Sequence, residues 1–204
     1  MSEAELDEAV KTLEKAIADN GQRLHEESGQ GIVALPGAQA LVQALRDGGA
    51  RWGICTSATI LYADRALRTA GFAPPLPDVL VTAGDCVHGK PHPEPYLNGL
   101  KGLNERLAKE GAPNGSVANG DAPAKLQPSD IIVFEDALSG LTAGREAGCR
   151  TMAVTTGGAS RPKIEALDGV THKVLNLDRL KVISATKDEI VMEITPLESE
   201  PPAN

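Results

Sequence analysis

Hydrophobic positions along this 204-residue chain change period several times, and each change marks an element. Near the N-terminus Leu6, Ala9, Val10, Leu13 and Ile17 recur every three to four residues, the spacing of one helix face. Ser2 and Glu5 precede them as a capping box. The pattern predicts a helix from Ala4 to Asn20, ending near Gly21. In LPGAQALVQALRDGG, the apolar Leu41, Ala44 and Leu45 and the closing Gly48 and Gly49 predict a second helix. From residue 51 short apolar runs alternate with helical stretches. RWGICTS, DVLVTAGD, DIIVFED, RTMAVTTGG and HKVLNL read as strands. ATILYADRALRTAGF, PEPYLNGLKGLNERLAKEG, LSGLTAGREAG and RPKIEALDG read as helices. Apolar runs alternating with helices predict an α/β fold with a parallel sheet covered on both faces. Two segments stand outside this rhythm. The Gly- and Pro-rich residues 111–129 predict a flexible surface insertion, and LKVISATKDEIVMEI predicts a terminal hairpin turning at Lys187 and Asp188, followed by a tail.

Composition narrows the function classes. Only two Phe, two Tyr and one Trp are present, so the core rests on Leu, Val, Ile and Ala. A net charge of −8 argues against nucleic acid or an anionic membrane as partner. An anionic substrate then needs a local site. Cys55, Cys86 and Cys149 are odd in number and match no zinc spacing, so they read as small buried side chains in a reducing compartment. With no leader and no membrane-length apolar run, a cytoplasmic protein is expected.

In open α/β sheets ligands bind beyond the carboxyl ends of the strands, and here those ends are polar. The first strand ends in Thr56 and Ser57, the second at Asp85, the third in Glu135 and Asp136, and the fourth in Thr155, Thr156, Gly157 and Gly158. Two adjacent acids repel unless a cation joins them, and hard oxygen donors suit Mg²⁺. The alternative is that Asp136 simply caps the following helix. Lys90, in GKPHP, is restrained by the next proline and suits a phosphoryl oxygen, although a lone loop lysine is commonly just solvated. Thr56 offers a hydroxyl and an amide at a helix start, which serves either an anion or an ordinary cap. His92 reads as a packing or hydrogen-bonding residue rather than a ligand.

Taken together, WGICTSAT, VLVTAGDCVHGKPHPEPYL and IIVFEDALSGLTAGREAGCRTMAV resemble the second, third and fourth motifs of haloacid dehalogenase-like phosphatases. The resemblance runs from about Glu3 to Leu180. It is nearest to the fungal branch that includes glycerol-3-phosphate and 2-deoxyglucose-6-phosphate phosphatases. It implies Mg²⁺-dependent hydrolysis of a small phosphorylated polyol or sugar. Thr56 and Ser57 would bind the phosphoryl group, Lys90 would neutralise it and orient the nucleophile, and Asp136 with Glu135 would hold Mg²⁺. Ala137 stands where many relatives have Ser. The implied organisation is a partial helical cap over 1–34, a Rossmann-like core over 35–180 and a hairpin with tail over 181–204.

One departure matters for catalysis. The family's nucleophile is the first Asp of an Asp-x-Asp motif on the first strand, and these 204 residues contain no Asp-x-Asp. The chain is therefore expected to lack that strand and the first part of the cap. The strands ending at Thr56 and Glu135 would then either pair directly or stay about 10 Å apart, twice the usual spacing. Exposed sheet edges would favour self-association. Three readings follow: an enzyme of the family with more sequence upstream, a non-catalytic binder of a phosphorylated metabolite or a protein, or an enzyme using Asp85 as nucleophile.

Overall fold

The first helix runs further than its sequence predicts. In the computed structural model, which describes residues 2–72, 77, 79–110, 125–156 and 161–197, α1 spans Glu3–Ser28 and passes through Gly21. Gly21 is a contact point, not a stop: a Cβ there would lie 2.6 Å from Cγ1 of Ile32. The helix ends instead at Gly29, whose φ of 68° only glycine adopts easily. At the other end, the Ser2–Glu5 capping box forms as expected.

α2 (Ala38–Asp47) leads into β1 (Ile54–Cys55), α3 (Ile60–Thr69), β2 (Leu80–Val81) and α4 (Glu94–Glu110). Then follow β3 (Ile132–Glu135), α5 (Leu138–Glu146), β4 (Arg150–Val154), α6 (Arg161–Glu165) and β5 (His172–Val174). The hairpin β6 (Leu180–Ala185) and β7 (Ile190–Ile194) closes the described chain, antiparallel as its alternation predicts. Residues 111–124 of the predicted insertion, Gly157, Gly158 and most of the tail lie outside the described residues; Pro128–Asp130 is one 3₁₀ turn.

Helices separate parallel strands, as the alternation requires, but the strands form two sheets. β1 pairs with β2, and β3, β4 and β5 pair in that order. Among the described residues β1 and β3 do not pair with each other. The β1 amides of Ile54 and the following Thr56 bond to Val79 and Val81 on the β2 side. Backbone groups of Gly53 and Cys55 therefore face the other way, toward β3. Between these edges lies a cavity of about 380 Å³, lined by Trp52, Ile54 and Cys55 on one side and Ile131, Val133 and Phe134 on the other.

The core is densest around β4. Ala153 packs with Leu141 and Ile164 of the helices, while Met152 and Val154 pack with Val174 and, beyond it, Leu180 and Ile194 of the hairpin. Successive β4 residues thus bury on opposite faces, the signature of a strand covered on both sides. A second core joins α4 to the strands through Leu103, Val79 and Val81. No described helix is long and apolar enough to cross a membrane.

Candidate active site

Lys90 organises the carboxyl ends of the strands. Its Nζ donates to the Cys55 carbonyl at the end of β1 (2.9 Å) and to the Glu135 carboxylate at the end of β3. It also lies 5.0 Å from the centre of the Tyr96 ring, within cation–π range. The ammonium therefore bridges the ends of two strands that share no ladder among the described residues. The side chains of Lys90 and Glu135 are only 10% and 11% exposed. A pair this buried holds its geometry, because removing one partner strands a charge in low dielectric.

Glu135 is enclosed on its other sides as well. Its Oε1 also accepts from the Tyr96 hydroxyl at 2.6 Å. Burial first, then the Glu135 charge, hold the Tyr96 phenol far above its ordinary range, so it stays a donor. Gly140, in the first turn of α5, closes over the carboxylate: a Cβ there would meet Glu135 Cδ at 2.1 Å. Beside them, burial pushes the Cys55 thiol up to about 12 despite the opposing pull of Lys90. This thiol packs as an inert side chain.

Thr56 and Ser57 follow Cys55 at the end of β1, Thr56 half-buried and Ser57 exposed. The Thr56 hydroxyl accepts from the Ala58 amide at 3.2 Å. At the adjoining start of α3, Glu14 of α1 accepts from the Thr59 amide (3.2 and 3.3 Å) and from its hydroxyl. A carboxylate from α1 thus occupies part of the anion-favouring helix end predicted for Thr56 and Ser57.

Asp136 is exposed one residue beyond β3. It is not the cap of α5; that position belongs to Ala137, and no side-chain cap bond is present. An exposed hard carboxylate at a strand end fits Mg²⁺, which takes one or two carboxylates and keeps several waters. Glu135 fits less well, since Lys90 and Tyr96 already occupy one of its oxygens. No third Asp, Glu, His or Cys joins these two among the described residues. The second strand ends at Val81 rather than at Asp85, which closes the 3₁₀ turn Ala83–Asp85 and is committed locally: its carboxylate accepts from the Thr82 amide (2.8 Å) and hydroxyl (2.7 Å). Those bonds hold its carboxyl below the usual range. Thr155, at the end of β4, donates its hydroxyl to the Val174 carbonyl (3.2 Å) and serves the sheet.

The sequence pattern pointed to Thr56, Ser57, Lys90, Glu135 and Asp136. It did not assign roles to Tyr96, Gly140 or Glu14. Tyr96 carried a signal, being an aromatic six residues beyond Lys90 in an aromatic-poor chain. Gly140 and Glu14 act only through tertiary contact and carried none.

A family profile described as haloacid dehalogenase-like hydrolase matches residues 2–148, well over half of the chain. The chain belongs to the haloacid dehalogenase-like hydrolases. Similar proteins among these hydrolases include hexitol phosphatase A of Escherichia coli (strain K12), 32% identical over 164 residues, covering 80% of this chain and 63% of that protein. Glycerol-1-phosphate phosphohydrolase 2 of Saccharomyces cerevisiae is 36% identical over 129 residues, covering 63% of this chain and 45% of that one. The chain thus spans about half to two-thirds of the length of these relatives. Among solved structures, a haloacid dehalogenase hydrolase, family IA, variant 3 from Entamoeba histolytica superposes with a TM-score of 0.64 at 17% identity, over 89% of this chain and 69% of that one. At that identity the likeness bears on the fold.

Proposed function

We propose that this haloacid dehalogenase-like chain carries the phosphoryl-binding part of a phosphatase site for small phosphorylated polyols or sugars, of the glycerol 3-phosphate or 2-deoxyglucose 6-phosphate class. The observation that carries the reading is Lys90, buried between Cys55 and Glu135 and next in space to the Thr56–Ser57 strand end. An ammonium has three donors. Two are spent on the protein, so one remains for a phosphoryl oxygen, and its direction is set by the other two. Thr56 and Ser57 supply hydroxyl donors beside it. Glu135 holds the ammonium in place. Mg²⁺, when held at Asp136 with Glu135 beside it, supplies further charge neutralisation at the phosphoryl oxygens. The names of the polyol and sugar phosphatases among the relatives support the substrate class.

The attacking carboxylate is the weak part of this site. No Asp-x-Asp occurs in the 204 residues, and Asp85 is tied to Thr82. The chain on its own is therefore a binder rather than an efficient catalyst. In this reading residues 1–34 serve as a partial cap, 35–180 as the core and 181–204 as an appended hairpin and tail. A cytoplasmic location suits its three free thiols.

Calorimetric titration with inorganic phosphate and with glycerol 3-phosphate, in Mg²⁺, tests the proposal. Binding is expected, and Lys90→Ala should weaken it about 10-fold or more, the worth of one hydrogen bond to a charged group. Phosphate release should stay at background. Equal binding by Lys90→Ala would refute the site. Strong Mg²⁺-dependent turnover abolished by Asp85→Asn would assign Asp85 as nucleophile instead.

A further inference from the structure

The segment His88-Gly89-Lys90-Pro91-His92-Pro93-Glu94 places three metal-binding side chains around the lysine just described. His88 Nδ1 lies 3.1 Å from Glu94 Oε2, and His92 Nδ1 lies 3.9 Å from the same oxygen. The two imidazole rings are 4.6 Å apart, centre to centre. One donor atom from each of the three residues falls within 4.8 Å of the others, a convergence found in no other trio of His, Cys, Asp and Glu among the described residues. From these distances we infer a second metal site, separate from Asp136, formed by His88, His92 and Glu94 and suited to a borderline divalent transition metal, Zn²⁺ above all.

The geometry is prepared rather than accidental. Glu94, in the first turn of α4, accepts from the backbone amides of Val87 (2.7 Å) and His88 (3.0 Å). Those two bonds fix the carboxylate while leaving it lone pairs. The Glu94 amide points at His92 Nδ1 at 3.2 Å, which marks that nitrogen as the one bearing a lone pair. A metal there takes the lone pair, and the amide, at an open helix start, turns to water. Pro91 and Pro93 flank His92 and limit its backbone.

The donor set decides the metal. Two imidazoles and one carboxylate suit Zn²⁺, Ni²⁺ or Cu²⁺, whereas Mg²⁺ prefers oxygen alone. Three protein ligands leave a fourth position for water. The His88 and His92 side chains are 62% and 50% exposed, so an ion reaches them without any opening motion. Occupancy ties residues 88, 92 and 94 together and clamps the loop that presents Lys90. It also brings two positive charges close to the phosphoryl site. The site does not depend on the proposed phosphatase reading.

The test is titration of the full 204-residue chain with Co²⁺ and Zn²⁺ in a non-chelating buffer, with Mg²⁺ in excess to fill oxygen-only sites. One Co²⁺ per chain is expected, with a visible spectrum of nitrogen and oxygen ligation and no thiolate charge-transfer band. His88→Ala and His92→Gln should each weaken binding at least ~10-fold, since even partners behind a ligand are worth about 10- to 100-fold. Asp136→Asn should leave it unchanged. Both histidines are exposed, and unaltered melting curves will show that the variants fold. No binding, binding that survives both histidine changes, or a thiolate band from the cysteines would each overturn the site.

Discussion

At the residue scale, the Lys90–Glu135 pair has almost no spare room, and Gly140 measures it. Alanine at this position would gain about 1 kcal/mol of helix propensity. It would also drive a methyl into the Glu135 carboxylate, and overpacking costs about 1–3 kcal/mol. The steric term wins, because Glu135 is held from the far side by Lys90 and Tyr96. Gly140→Ala is expected to lower the urea midpoint and to weaken phosphate binding together, the second because Lys90 loses its anchor. A change in stability alone would show that Glu135 does not position Lys90. Cys55 gives a pH prediction. Its unfolded thiol ionises near 9.0, but in the folded chain only at about 12. The folded state therefore binds the proton more tightly, so stability holds below pH 9 and declines as pH rises toward 12. Cys55→Ser should flatten the alkaline limb of a denaturation series, and native Cys55 should resist alkylation at pH 8.

At the scale of elements, α1 is joined to α3 by polar contacts. Thr59 caps α3 with its hydroxyl and Glu14 accepts from the amide and hydroxyl of that cap, while Asp19 pairs with Arg65. Glu14→Ala should cost about 0.5–1.5 kcal/mol, the usual net worth of a hydrogen bond, read as a lower melting temperature. No change would mean that the Thr59 cap does not need Glu14 to hold it. Much of this level was legible in the sequence. The alternation of apolar runs and helical periods located each strand and helix, and the polar strand ends and the loop after the second strand pointed to Thr56, Lys90 and Asp136 as candidates. What failed were the rules that stop at local chemistry. Gly21 reads as a helix end, yet Ile32 packs on it and the helix continues. The apolar stripe Leu6, Val10, Leu13 and Ile17 reads as a buried face, yet these residues are 42–61% exposed. Periodicity reveals a face, not what covers it. Strand pairing was legible only in part: the sequence left direct pairing of β1 with β3 or a gap between them open, and the gap that is found depends on residues nearly 80 positions apart.

For the whole molecule, the α1 stripe and the unpaired edges of β1 and β3 have a common outcome. Exposed apolar area and free strand edges both promote contact between copies. The purified chain is expected to associate with rising concentration, seen as a growing mass in static light scattering. A monodisperse monomer across the range would refute it. The cavity between β1 and β3 has another consequence, visible only when volume is the variable. Empty space within a fold vanishes when the chain unfolds, so compression favours the unfolded state. The cleft of about 380 Å³ between β1 and β3 is partly open, so only the share that water leaves empty adds to this pressure sensitivity, and Trp52 on its wall is the built-in gauge. Under compression its emission should shift red at a moderate midpoint. The volume change should be negative and within the usual range of about −20 to −100 mL/mol. A pressure-resistant transition would mean that the walls of the cavity close together in solution.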